Sequence, residues 1–278
     1  MRVRLHKDIN GQNGVTERHI WRCDVVEGFF THPPLSRTEL DMLYQTYHGQ
    51  ARRTLATSRV IHQAFFIKQV LHNNLNPNAT VVEAGCSFGY LLSKFGAPGR
   101  QLICFKPGAA FFKPTDTLLH GTNASRSRLN PTMFDAAAPE LAGGIDLFLS
   151  SHVLEHIGDL CTFLSTLYAK MNDNGFVFTE VPNHDLEYVT VEQGGTYHLT
   201  LLTPSSLLAY FSSAGFSLVA MNVADQRDLP RGGGFHIRAV HQKLPAGTTK
   251  RKKTPFRFHE GLLTEFHRPR KDPALSRS

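Results

Sequence analysis

From Thr80 onward, short apolar runs alternate with longer segments whose apolar residues recur every three or four positions. Runs of four to eight apolar residues read as buried strands, and helical spacing reads as amphipathic helix. The strand pattern falls at 80–84, 101–105, 145–150, 175–181, 216–223 and 234–241, with a weaker match near 116–119. The helical pattern falls at 88–96, 158–172 and 204–214. Alternation of this kind predicts an α/β domain: a doubly wound, mostly parallel sheet covered on both faces. Before Thr80, Ser36 and Glu39 have the spacing of a helix N-cap and its partner, and Leu40, Leu43, Tyr44 and Tyr47 follow as an apolar face. A second helix is expected from about Ser58 to His72. Together they predict an N-terminal helical cover that forms part of one domain over residues 36–242. Residues 1–35 read as irregular, with room for a short strand or hairpin between Val15 and Phe30.

Chemistry concentrates where strands end. The run Val81-Val82-Glu83-Ala84-Gly85-Cys86-Ser87-Phe88-Gly89-Tyr90 predicts a buried strand, a tight loop and a helix start. Glycine allows sharp turns and close approach of a ligand to the main chain. An acid just before the turn does not suit a phosphate; it suits a cationic or hydroxyl-bearing ligand. The spacing Gly85-x-x-x-Gly89 is not the G-x-G-x-x-G of a dinucleotide site, and no Lys-Ser/Thr follows as in a P-loop. Alone, the loop fits a plain strand–turn–helix junction as well.

A second polar cluster, Ser150-Ser151-His152 followed by Glu155-His156, closes the strand at 145–150. In a doubly wound sheet it lies beside the Gly85 loop, where ligands bind outside the carboxyl ends of the strands. The strand Phe176-Val177-Phe178-Thr179-Glu180-Val181-Pro182-Asn183 follows.

With these segments the chain resembles the class I S-adenosylmethionine-dependent methyltransferases, most closely the type 23 group and the sugar C-methyltransferases. The E-x-G-C-S-F-G loop, the S-H-V-L-E-H-I segment and the N-G-F-V-F-T-E-V-P-N strand stand in that family's order, and Tyr197-His198-Leu199 and Thr203-Pro204-Ser205-Ser206-Leu207 continue the likeness. The resemblance implies a seven-stranded Rossmann-like sheet and S-adenosyl-L-methionine as cofactor. It implies that Glu83 faces the methionine ammonium, and that Gly85, Cys86 and Gly89 admit the amino-acid part. It further implies that Ser150, Ser151 and His152 line the pocket and that Asp135 meets the adenine. Histidine, with an ordinary pKa near 6.5, is a natural base for methyl transfer, so His156 and His198 are the expected catalytic residues, with Glu155 assisting. The implied activity is methyl transfer to a small-molecule or sugar-like acceptor. The sequence leaves open which acceptor atom is methylated.

One position departs from the family. After the second strand the family usually places an acid for the ribose hydroxyls, whereas here Leu102-Ile103-Cys104-Phe105 is followed by Lys106. A lysine donates where a carboxylate would accept. An inactive methyltransferase-like binding or scaffold protein is therefore the alternative reading. No metal is expected: Cys23, with His19, His32 and His48, lacks the close ligand pairs of structural zinc.

Composition refines this picture at the ends. Among 278 residues, 41% are apolar and 19% charged, an ordinary globular balance. Residues 243–278 carry ten Lys+Arg against three Asp+Glu, a net of +7, equal to the net charge of the whole chain. The body is thus neutral. The basic tail is expected to be solvated, with nucleic acid or another polyanion as its candidate partner. No apolar run approaches the roughly 20 residues of a membrane span, and the start, Met1 to Asp8, lacks a secretory apolar core. Cys23, Cys86, Cys104 and Cys161 form no close pair in sequence, so no disulfide framework is expected and a cytoplasmic, reducing location is.

Overall fold

A computed structural model describes residues 3–5, 18–23, 28–32, 56–72, 75–107, 112–184, 198–225 and 235–245. The expected helix near 36–47, Tyr47, Tyr197 and the tail beyond 245 lie outside the described residues. Near the N-terminus, β1 (Val3–Leu5), β2 (Arg18–Cys23) and β3 (Gly28–His32) pair antiparallel in sequence order. The hairpin expected between Val15 and Phe30 is β2 with β3. The second predicted cover helix is α1 (Ala56–Leu71).

The main sheet begins with β4 (Thr80–Ala84), buried along its whole length. The short helix α2 (Tyr90–Ser93) leads to β5 (Gln101–Phe105), α3 (Phe112–His120), β6 (Arg126–Asn130) and β7 (Ile145–Ser151). Then come α4 (Leu160–Lys170), β8 (Met171–Pro182), β9 (Thr200–Leu201), α5 (Pro204–Ser213), β10 (Phe216–Asp225) and β11 (Phe235–Lys243). Seven strands lie in the order β10-β11-β8-β7-β4-β5-β6, and β9 joins β3 in the smaller sheet. The pairs β5–β6, β4–β5, β4–β7 and β7–β8 are parallel; β11 is antiparallel to both its neighbours. The chain winds outward through β5 and β6, then returns to the other side of β4 as β7. The β4/β7 junction is therefore the switch point, where doubly wound sheets bind ligands.

Alternation along β4 divides the core. Val81 packs with Leu102, Leu147 and Leu149 against Ile67, Leu91 and Phe95, whereas Val82 packs with Ile103, Phe148 and Val177 against Leu160, Leu164 and Phe211. Burying such a side chain stabilises the fold by about 1.5–3 kcal/mol, so both sheet faces need their helices.

Three expectations are corrected. Residues 116–119 lie in α3, not in a strand: Thr115 and Leu119, one helical turn apart, are its buried residues. The third strand is instead β6, Arg-Ser-Arg-Leu-Asn, an edge strand with no fully buried position and hence no apolar signal. The helix expected at 88–96 is regular only over Tyr90–Ser93. The cysteines also differ: Cys86 and Cys104 form a disulfide, brought together by β4–β5 pairing rather than by sequence spacing. Disulfides persist in oxidising surroundings, so the cysteine argument for a reducing compartment loses its basis. No helix among the described residues is long and apolar enough to cross a membrane.

Candidate active site

Strand register aligns the polar residues on one line. Ala84 pairs with Phe105 on one side and with Ser150 on the other. Ser151 pairs with Glu180, and Glu180 with Arg238. The Gly85 loop, Lys106, Ser150, Ser151, His152 and Glu180 therefore all sit at the carboxyl edge of the sheet.

The glycine loop is built from backbone. Gly85 has φ +69°, and a Cβ placed there would lie 2.6 Å from Val153 Cγ2. Its N–H donates to the Phe105 carbonyl at 2.8 Å, and Gly89 (φ +78°) donates to the Cys86 carbonyl at 2.6 Å. Ser87 and His152 also have positive φ, 48° and 55°. Such backbone strain in non-glycine residues concentrates at functional sites. Glu83 is buried at the base of the loop, where its Oε2 accepts the Leu92 N–H at 3.0 Å. Burial outweighs that bond and pushes the Glu83 carboxyl up to about 8.

Lys106 is buried, and its Nζ donates to the Ser87 carbonyl at 2.9 Å. Thr115 Oγ1 donates to the same carbonyl at 3.1 Å. Burial brings the Lys106 ammonium down to about 8. The lysine thus braces the loop from the end of β5. Asp135 is exposed, and its Oδ1 accepts the Ala137 N–H at 2.8 Å, closing an Asx turn. It lies on the rim of a surface cleft of about 530 Å³ lined also by Phe134, Phe163 and Lys170. That cleft includes no residue of the glycine loop.

The other half of the edge is built from side chains. His152 bridges two buried carboxylates: Nδ1 lies 3.3 Å from Glu155 Oε1, and Nε2 lies 3.3 Å from Glu180 Oε1. Burial disfavours a charged His152, but the carboxylates of Glu155 and Glu180 raise its pKa above the ordinary value. Burial likewise works to raise Glu155, yet the His152 imidazole and its neighbours bring it down to about 2. Gln63, from α1, donates from Nε2 to Ser151 Oγ and to Glu180 Oε1, both at 2.8 Å. Arg238 donates from Nε to Glu180 Oε2, and Arg59 Nε lies 3.8 Å from Glu180 Oε1. Glu180 is held below the usual carboxylate range: burial opposes this, and His152 and Arg238 prevail.

Glu155 and His156 occupy a single 3-10 turn, Leu154–His156. The Leu199 N–H donates to the Glu155 carbonyl at 2.7 Å, which brings His198 alongside. The His156 and His198 rings lie 5.1 Å apart, and His184 packs 5.4 Å from His198. Burial lowers His184 to about 4 and His198 to about 3. The predicted residues therefore gather at one edge, with Asp135 engaged in its own turn. Sequence reasoning missed Gln63, Arg59, His184 and Arg238 as participants, and also His236, whose ring lies 4.8 Å from that of His152. Glu180 stood in the quoted strand motif without a role.

Comparison with known proteins agrees with this architecture. Residues 47–221 match the profile of a methyltransferase domain. The chain belongs to the type 23 methyltransferase-domain family. No curated protein matches it by sequence. Among solved structures, the Burkholderia thailandensis 1,6-didemethyltoxoflavin-N1-methyltransferase, with S-adenosylhomocysteine bound, is 16% identical at a TM-score of 0.56, over 82% of this chain and 96% of that one. The magnesium protoporphyrin IX methyltransferase of Synechocystis PCC 6803, also with bound S-adenosylhomocysteine, is 14% identical at 0.51, over 75% and 88%. The [4+2]-cyclase SpnF is 10% identical at 0.51, over 65% and 80%. These likenesses establish the seven-stranded Rossmann-like fold. The last shows that the fold does not fix the reaction.

Proposed function

We propose that this domain is an S-adenosyl-L-methionine-dependent methyltransferase acting on a small-molecule or sugar-like acceptor. The observation that carries this reading is the single line formed by the glycine loop, the buried Glu83 and the histidine–carboxylate cluster at the carboxyl edge of β4, β7 and β8. The residues fit the methionine half of the cofactor. Gly85 keeps the turn free of a Cβ that would press on Val153, and Glu83 offers a carboxylate to an ammonium. Gly89 and the Cys86 backbone shape the same turn, and Ser150, Ser151 and His152 wall its β7 side. On the ribose side Lys106 does not supply the usual acceptor; it steadies Ser87 instead. Asp135 is the candidate for the adenine amino group.

When bound, the cofactor supplies a methyl group on a sulfonium, open to in-line attack. The protein must align the acceptor and take its proton. His156 and His198 are the residues proposed to meet the acceptor; their rings lie 5.1 Å apart, and Glu155 lies 3.9 Å from His156.

Calorimetric titration with S-adenosylmethionine and S-adenosylhomocysteine tests the reading. Micromolar or tighter binding is expected. A folded protein that binds neither at millimolar concentration would overturn it. The competing reading, a methyltransferase-like scaffold without turnover, is motivated by Lys106. Its basic residues 243–278 would then serve docking on a polyanion such as RNA. A Lys106→Glu variant that gains cofactor affinity from nothing supports that alternative, whereas a loss of affinity supports a working site braced by Lys106.

A further inference from the structure

Methyl transfer does not by itself require the donor set assembled around Glu155. This carboxylate is fully buried, and among the described residues its oxygens are approached by His152 and His156. Burying an ionised carboxylate is costly unless a cation faces it. What faces Glu155 is imidazole: its only ion pairs among the described residues are with His152 and His156, at 3.3 and 3.9 Å. One ligating atom from each of Glu155, His156 and His198 lies within 4.8 Å of the other two. The Leu199-to-Glu155 main-chain bond holds that spacing without any ligand.

A second trio, His152, Glu180 and His236, is equally compact but differs in charge. Glu180 already pairs with Arg238 and lies beside Arg59. Those guanidinium groups neutralise it and would repel a dication. Glu155 has no guanidinium or ammonium partner among the described residues.

Two imidazoles and one carboxylate are a donor set for zinc, cobalt or ferrous iron. Magnesium and calcium prefer oxygen-rich sites. Bond lengths of 2.0–2.2 Å put tetrahedral donors roughly 3.3 Å apart. His156 and His198 are only partly buried, so small side-chain rotations can close the set. We propose that Glu155, His156 and His198 bind one divalent first-row transition metal, and that its open position takes a hydroxyl oxygen of the acceptor. The second half rests on the methyltransferase reading; metal binding does not. The acceptor hydroxyl then gives its proton to solvent rather than to a histidine. Its oxygen forms the new bond to the methyl carbon of S-adenosylmethionine as the C–S bond breaks. The electron pair of that bond stays on sulfur, giving a methyl ether and the neutral thioether. This departs from the sequence expectation of no metal, which rested on cysteine spacing.

The test uses tag-free, full-length protein, stripped with chelator and titrated with Zn²⁺ or Co²⁺ by calorimetry and visible spectroscopy. S-adenosylhomocysteine is titrated into the same samples. The expected result is one metal per chain at micromolar affinity or tighter, with visible Co²⁺ bands. His156→Ala and His198→Ala should each weaken binding at least tenfold while circular dichroism shows an intact fold. His120→Ala, on the exposed face of α3, should leave it unchanged. Absence of stoichiometric metal binding in protein that binds S-adenosylhomocysteine overturns the metal. Binding that survives both histidine variants but is lost in His236→Ala also overturns it. Metal binding with no S-adenosylhomocysteine binding upholds the metal site and overturns the methyltransferase reading.

Discussion

The two halves of the site are made differently. On the β4–β5 side, shape comes from main chain: positive φ at Gly85, Ser87 and Gly89, with carbonyls and N–H groups closing the loop. On the β7–β8–β11 side, it comes from side chains: Gln63, His152, Glu155, Glu180 and Arg238 hold one another in place. A backbone-built half tolerates change in most of its side chains but not in its glycines. A half built from buried charges fails when any one partner is removed, because the remaining charge stays buried.

Arg238→Ala sharpens that contrast most. It leaves Glu180 buried without its guanidinium, and breaking a buried pair costs about 3–5 kcal/mol. Gln63, Arg59 and His152 still face Glu180, so the loss should fall at the low end of that range. Chemical denaturation reads it directly. A variant as stable as the parent would show that the pair is not what holds this half.

On the backbone side the comparable structural tie is Cys86–Cys104, which links the loop to β5 across a separation of 18 residues. Cross-links closing loops of this size stabilise by about 3 kcal/mol. Reduction, or a Cys86→Ser/Cys104→Ser double variant, should lower the unfolding midpoint accordingly. Mass spectrometry of alkylated protein checks that the bond was present first. Unpaired thiols throughout would remove the tie from the comparison.

Gly85→Ala probes the loop itself. A Cβ at φ +69° costs roughly 1–2 kcal/mol, and this one also meets Val153 at 2.6 Å. Stability should fall by at least that strain, about 1–2 kcal/mol, and cofactor affinity by at least tenfold in variant protein that circular dichroism shows to be folded. An unchanged affinity would mean that the amino-acid part of the cofactor does not approach this turn.

The same contrast explains what could be read from the chain. The Gly85-x-x-x-Gly89 spacing, Glu83 and the strand pattern at 80–84 were legible because local backbone demands leave local residue choices. His152, Glu155 and His156 were legible because they follow one strand end. Gln63, Arg59 and Arg238 come from 88, 121 and 58 residues away from Ser151, Glu180 and Glu180, respectively, and only strand order brings them in. β6 was missed because an edge strand of Arg, Ser and Asn buries little. Leu118-Leu119 was misread because two adjacent apolar residues fit either period. The cysteine pair was invisible because its partners meet through β4–β5 register, not spacing.

Glu83 joins the two kinds of construction, being one buried charge at the base of a backbone loop. Its pKa is raised to about 8 by burial. A carboxyl raised in the folded state contributes stability that is fully present below its ordinary value of 4.5 and is lost as pH rises through 8. A ligand ammonium favours the ionised form. Cofactor affinity should therefore climb between pH 6 and 8, by at most tenfold per pH unit, or about 1.4 kcal/mol, and binding at pH 7 should release a proton. Lys106, lowered to about 8, titrates at the top of that window, so Lys106→Met separates the two. Glu83→Gln should flatten the affinity profile while making the free protein more stable at pH 8. Titrations in two buffers of different ionisation enthalpy count the proton. A flat profile in the parent protein would mean that Glu83 does not meet the ammonium, and that the loop binds its ligand through main chain alone.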